Sequence, residues 1–307
     1  MTDVRPVHGV AEHPEDQLGF LLDEVDAGRR CALVTIVDIV ERASRNIGTQ
    51  MVVLDDGRYA GSVSSGCIDG SVATMALDAL NTREARRVRL GAGSSFIDLK
   101  LPCGGGVDLL IQPDPQISTL RGVVEALRDR RPAALTLDDF TVNYHPKPRL
   151  ILVGRGSELT VFTRLGVSSG YDVHAFSPDE IDVDTCRVFG AFAVRLASSS
   201  ESPSLQADAW TAIVTLFHDH DWEPAVLRSA LATEAFYIGA LGSARTHEQR
   251  LATLAELGVA DGERIRGPIG LVPSMRNATM LAISTLAEIV EHFNRQHPTP
   301  VAKPSQA

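Results

Sequence analysis

The stretch Arg149–Leu159, RLILVGRGSEL, decides the architecture of the second half of this 307-residue chain. An apolar strand runs into Gly154-Arg155-Gly156 and then into a helix-forming segment. That is the strand–turn–helix setting in which a glycine fingerprint carries meaning. Gly154 and Gly156 supply the tight turn and the close approach for a phosphate, and Ser157 opens the helix. Leu159, however, stands where a dinucleotide fingerprint has its third small residue. The next strand, YDVHAFSP, ends in Ser177 where an NAD-binding chain places an acid for the ribose diol, with Asp179 just beyond as a substitute. The motif predicts a Rossmann-like domain and leaves NAD(P) as one cofactor reading beside a Rossmann domain with a degraded pocket.

Working outward, strands AFAVRL, TAIVTLF and AFYIGAL follow downstream, interleaved with helices EPAVLRSALA, ARTHEQRLATLAEL and the terminal NATMLAISTLAEIVEHFNRQ. Strands separated by helix-length segments predict a doubly wound parallel sheet. Polar residues stand at its strand ends, where such sheets bind ligands. They are His218-Asp219-His220-Asp221, readable as a solvated loop or an HxH metal site, and Ser243, a helix cap whose neighbouring amides suit a phosphate. Upstream, NYHPKPR carries Pro146 and Pro148, which resist helix and central strand alike. The expected division is an α/β domain over 1–142, a linker over 143–148, a Rossmann-like domain over 149–297 and a disordered tail over 298–307.

The first domain mixes its elements. A helix is expected over EDQLGFLLDEVDA, then strands CALVTIVDIV, TQMVVLDD and GRYAGSVSS, with a hairpin at Asp56-Gly57. Helix IDGSVATMALDAL, strands RRVRLGA and VDLLIQP, helix ISTLRGVVEALRDR and a single strand AALTLDDFTV complete it.

Two cysteines sit in glycine-rich loops there. In Gly61–Cys67, GSVSSGC, small residues let the backbone curl into an anion nest, so Ser64, Ser65 and Gly66 are candidate contacts. Cys67 lies near the start of the next helix, whose dipole favours a thiolate. In Leu101–Gly106, LPCGGG, three glycines exceed what a turn needs, which leaves the amides around Gly104 and Gly105 and the Cys103 thiol open to a ligand. The plainer alternatives are a tight turn with an inert cysteine and a flexible loop. Arg45, in the loop between the first two strands, can pair with an anion or simply be solvated. Cys31 and Cys186 read as core residues.

Composition narrows the function. The chain is 44% hydrophobic with a formal net charge of -10, and no basic stripe offers a nucleic-acid surface. The polar, acidic start is no secretory signal, and no apolar stretch is long enough to span a bilayer, so a cytoplasmic location without membrane partners is expected. Four dispersed cysteines make neither a disulfide framework nor a zinc cluster.

Taken together, Arg45, Gly48, Met51, GSVSSGC with Asp69, PCGGGVDLLIQP, ILVGRG, FHDHD, YIGALGS with Arg245, GPIGL and AISTLAEIV resemble the XdhC/CoxI family along nearly the whole chain. That family comprises accessory proteins for molybdenum hydroxylases such as xanthine dehydrogenase and CO dehydrogenase. The resemblance implies binding of the molybdenum cofactor, as molybdopterin or its dinucleotide form, and its delivery to an apo-hydroxylase, with a cysteine desulfurase as a further partner. It implies Cys67 and Cys103 as cofactor, molybdenum or sulfur contacts, and it adds Arg245 to the phosphate candidates Gly154, Gly156, Ser157, His218 and Ser243. The pattern breaks at Ser157, where the family has His, at Ser177, at Val272, Pro273 and Ser274 in place of an acid, an apolar residue and a glycine, and at Thr279 and Met280 near the start of the last helix. Two main readings stand: an accessory cofactor chaperone and an NAD(P)-dependent oxidoreductase using the Rossmann domain. A docking protein that binds only protein partners is a further one, and self-association as a homodimer suits a protein of this class.

Overall fold

The computed structural model describes residues 3–10, 12–94, 101, 104–199, 204–218, 221–272 and 275–297. The tail expected at 298–307 lies outside them, as do Pro273 and Ser274. The chain divides into two units, Met1–Pro146 and Lys147–Pro298.

The first unit is built on a six-stranded sheet. β1 (Arg5–Pro6), β2 (Cys31–Val40), β3 (Gln50–Leu54), β4 (Arg58–Gly61), β5 (Arg86–Gly91) and β6 (Gly106–Pro113) lie in the order β1-β4-β3-β2-β6-β5. All its pairings are antiparallel except the short β1–β4 contact. Alternation along β2 sorts its side chains. Ala32, Val34 and Ile36 face α2 (Asp69–Thr82), joining Val72, Ala73, Ala76 and Leu80. Cys31 and Leu33 face the other way, into a core with Leu18, Leu21 and Leu22 of α1 (Pro14–Asp26) and Leu120, Val123 and Leu127 of α3 (Ile117–Arg128). Each fully buried Leu there is worth ~1.5–3 kcal/mol. The expected single strand over AALTLDDFTV is instead a hairpin, β7 (Ala133–Leu137) and β8 (Phe140–Tyr144), reversed at Asp138, which has φ 57°. Aspartate tolerates that left-handed backbone, so the turn forms without a glycine.

The second unit is a parallel sheet in the order β11-β10-β9-β12-β13-β14. Its strands are β9 (Arg149–Gly154), β10 (Asp172–Ser177), β11 (Phe192–Arg195), β12 (Thr211–Leu216), β13 (Tyr237–Ala240) and β14 (Ile265–Arg266). In order of appearance this is 3-2-1-4-5-6, the doubly wound dinucleotide-fold arrangement. Leu150 and Leu152 pack on α4 (Gly156–Ser168) and α8 (Ala278–Gln296), while Ile151 and Val153 face α6 (Glu223–Leu231) and α7 (Ala244–Glu256). β12 is buried at every position, which suits its alanine, isoleucine, valine and leucine, with only Thr211 and Thr215 polar. The strands YDVHAFSP and AFAVRL do not follow one another directly, because a helix, α5 (Glu180–Val188), separates them. Asp179 caps it by accepting from Ile181 N at 2.9 Å, so the expected ribose partner is a helix cap.

Candidate functional site

The register gathers the candidate loops of the first unit at one end of its sheet. Val40 pairs with Gly106 and Gly91 pairs with Gly106, while Gln50 opposes Thr35 and Gly61 opposes Met51. The loop carrying Arg45, the loop carrying Cys67 and the segment entering β6 therefore all emerge together.

Beyond Gly61 the chain leaves the sheet for Ser62–Ile68 before α2 begins at Asp69. Asp69, only 3% exposed, is the hub of this loop. Its Oδ1 accepts from Val63 N at 3.1 Å and Ser64 Oγ at 2.7 Å. Its Oδ2 accepts from Ser62 Oγ at 2.6 Å and Gly66 N at 2.9 Å. Ser62 Oγ takes Ser65 N at 2.8 Å, and Ser64 Oγ takes Ile68 N at 2.9 Å. The expected anion nest takes an internal anion: the amides of Val63 and Gly66 point at the Asp69 carboxylate. Ser64 is buried in the network, whereas Ser65, Gly66 and Cys67 are exposed.

Pro102 and Cys103 lie outside the described residues. On one side of them, Leu101 is buried in the core shared with Val63 and Ile68. On the other, Gly104 is exposed at φ 77° with open space around it. The glycine excess has a structural cause. A side chain on Gly105 would overlap the backbone carbonyl of Arg42, and a Cβ on Gly106 would stand 2.7 Å from Ala92 O. Crowding of two neighbouring loops, rather than ligand access, demands Gly105 and Gly106. The amide of Gly104 is also engaged, donating to Leu101 O at 2.9 Å.

Arg45 is half-buried and already paired. Its guanidinium forks onto Glu12, at 3.0 Å to Oε2 and 2.8 Å to Oε1. That hydrogen bonding, with the nearby Asp69 charge, strengthens Arg45's hold on its proton, and Arg45 in turn holds the Glu12 carboxyl below its usual range. The Nε of Arg45 is buried without a partner.

Cys31 and Cys186 are buried, as expected. Burial pushes the Cys31 thiol up to about 12, with Asp114 and Asp55 adding to it, and burial also raises Cys186. Among the described residues no group of three or more His, Cys, Asp or Glu could hold a metal ion. Asp219 and His220 of the HxH segment lie outside those residues.

In the second unit, the fingerprint sits between β9 and β12, where the strand order reverses. A Cβ on Gly154 would stand 2.6 Å from the Cβ of Leu216, so only glycine lets the strands run this close. The amide of Gly156 donates to Asp182 Oδ2 at 2.7 Å, and Ser177 Oγ donates to the same oxygen at 3.2 Å. Ser157 Oγ donates to Glu158 at 3.0 Å, and His218 Nε2 lies 3.5 Å from the other Glu158 oxygen. Two carboxylates, Asp182 and Glu158, thus already engage the Gly156 amide and the Ser157 hydroxyl at the fingerprint. Ser243 caps α7, accepting from Thr246 N at 3.2 Å, and Arg245 is exposed on that helix.

Sequence reasoning missed Asp69 as a hub, Asp182, and the buried pair Glu223–Arg250. Arg250 donates to Glu223 at 3.1 and 2.9 Å and to Leu241 O at 2.6 Å, anchoring the end of the β13 loop. The one available signal was the serine-rich run four to seven residues ahead of Asp69.

Comparison with known proteins places this architecture. Residues 150–289 match the XdhC Rossmann domain, and residues 25–91 match the XdhC and CoxI family. The molybdenum cofactor insertion chaperone PaoD of Escherichia coli (strain K12) is 36% identical over 294 residues, covering 89% of this chain and 86% of PaoD. The chain belongs to the XdhC and CoxI family. A probable xanthine dehydrogenase component of Bacillus subtilis (strain 168) is 24% identical over 166 residues, 52% of this chain and 47% of that protein. A crystal structure described as a xanthine dehydrogenase from Bacillus halodurans has the same fold, with a TM-score of 0.78 at 18% identity over 94% of this chain and 98% of that one. The two-part family architecture accounts for the pairing of a mixed sheet with a Rossmann sheet. No helix among the described residues is long and apolar enough to cross a membrane.

Proposed function

We propose that this XdhC/CoxI family member binds molybdenum cofactor at the loop end of its first sheet and delivers it to an apo molybdenum hydroxylase of the xanthine dehydrogenase or CO dehydrogenase type. On this reading it is an accessory chaperone of the cytoplasm rather than a turnover enzyme. The observation that carries the reading is the exposed Cys67 thiol, presented on a loop held by internal hydrogen bonds to Asp69. A thiol suits a thiophilic metal and its transferable sulfur. The name of the 36% identical relative supports the same assignment.

Cys103 is the second thiol of the proposed site, since β6 begins at the same sheet end as the Cys67 loop. Arg45 would take an anionic group of the cargo, such as its phosphate, in exchange for Glu12. A cysteine desulfurase is the proposed sulfur source. The oxidoreductase reading loses ground because Asp182 and Glu158 oppose a pyrophosphate at the fingerprint.

Titration of purified molybdopterin into the full chain tests the proposal. Binding by the wild type that drops sharply in Cys67→Ala and Cys103→Ala is the expected outcome. Equal binding in both variants removes these residues from the site.

A further inference from the structure

We infer that Asp69 is the positioning residue of the Cys67 thiol, an inference that rests on the cofactor-binding reading of this loop. The Cys67 side chain has no hydrogen-bond or ion-pair partner among the described residues, so its place is set by the residues on either side. The upstream neighbour, Gly66, is pinned through its amide to Asp69 Oδ2 at 2.9 Å. The downstream neighbour, Ile68, is buried, and its amide is pinned to Ser64 Oγ at 2.9 Å. Ser64 Oγ in turn donates its proton to Asp69 Oδ1 at 2.7 Å. Both flanks of the cysteine therefore trace back to one carboxylate.

The loop needs this anchor. Ser65 holds φ 57° and Gly66 holds φ 100°, a left-handed pair that turns the chain outward just before Cys67. Ser65 tolerates that conformation only when its surroundings fix it. Its amide is fixed by Ser62 Oγ, and Ser62 is again a donor to Asp69. Four donors converge on two oxygens, so no neutral side chain of the same shape can replace the carboxylate. In Asp69→Asn, either orientation of the amide turns an NH2 toward a backbone N–H, that of Val63 or that of Gly66. The substitution keeps the volume and breaks one half of the loop, whereas a residue that merely fills space would tolerate it.

The test combines purified molybdopterin binding with hydrogen exchange of the 62–68 amides in wild type, Asp69→Asn, Ser64→Ala and Cys67→Ala. Asp78→Asn, an exposed acid on the same helix, serves as the control. Asp69→Asn should weaken binding and speed exchange at Val63 and Gly66 by about tenfold or more, the scale of a lost charge-assisted hydrogen bond. Ser64→Ala should free the Ile68 amide, remove one of the four donors to Asp69, and weaken binding by about threefold or more. Asp78→Asn should change neither. If Cys67→Ala loses binding while Asp69→Asn keeps it, the positioning role is overturned and the site reading stands. If Cys67→Ala binds like the wild type, the site reading falls, and the positioning role falls with it. Should Asp69→Asn not fold, unchanged binding in Ser64→Ala overturns the inference.

Discussion

The carboxylate of Asp182 accepts a 2.7 Å hydrogen bond from the amide of Gly156, the residue that opens α4 at the reversal of the Rossmann sheet. A helix start of this kind ordinarily receives a phosphate. Here the protein supplies its own anion, and Glu158 adds a second negative charge in the first turn.

A nicotinamide dinucleotide therefore has little to gain at this loop. Calorimetric titration of the full chain with NAD and NADP should show no binding up to ~1 mM, equivalent to less than about 4 kcal/mol of affinity. Removing the acid should also cost stability. Asp182→Ala leaves Gly156 N unpaired beside a buried hydroxyl and is expected to cost ~1–3 kcal/mol in urea unfolding.

The cysteines should separate cleanly by reactivity. Iodoacetamide at pH 8 should label Cys67 in the folded protein and leave Cys31 and Cys186 unmodified, as peptide mass mapping would read. The Cys31 thiol, raised by burial to about 12, stays protonated at pH 8 and still does so at pH 9. Only denaturant should admit the reagent to it. Labelling of Cys31 at the rate of Cys67 would contradict the packing described for β2.

Glu223 and Arg250 have side chains only 3% and 2% exposed, and each is the other's charge partner. Breaking such a pair from one side strands the remaining charge. Arg250→Met alone should cost ~3–5 kcal/mol, while Arg250→Met with Glu223→Leu should recover most of that loss. The comparison of urea midpoints decides whether charge or packing holds the β13 loop.

Asp172 gives the second unit an acid-sensitive element. Burial alone would raise its carboxyl, but hydrogen bonds from His174 and Arg149 outweigh that and hold it well below the usual range. A depressed native pKa adds stability that is complete above the unfolded value near ~4 and is lost as pH falls through the native one. Asp172→Asn should therefore destabilise the protein by ~1.5–3 kcal/mol at pH 7, with the gap to wild type closing steadily below about pH 4. Thermal melts across pH 2–7 would check the sign.

Much of the fold was legible because its signals are local. RLILVGRG announces a strand, a turn and a helix within eight residues, and the apolar run of β12 follows from burial on both faces. The α5 helix escaped because EIDVDTCRV is short, its three acids interrupt any apolar stripe, and its four β-branched residues lower helix propensity. The β7–β8 turn escaped because Asp138-Asp139 lacks a glycine. Both cysteine loops stood out for their composition, yet their wiring did not. Asp69 and Asp182 are single acids whose partners are backbone amides and serine hydroxyls in equal number, and only the folded chain reveals which groups those are. The triple glycine misled for the same reason, since the carbonyl that excludes a side chain at Gly105 belongs to Arg42, distant in sequence.

That contact makes the loop holding Arg45 and the loop entering β6 a single mechanical part. Backbone lies against backbone at Gly105, with no side chain between the two loops. A side chain introduced at Gly105 would therefore displace the Arg45 loop and the strand entry together.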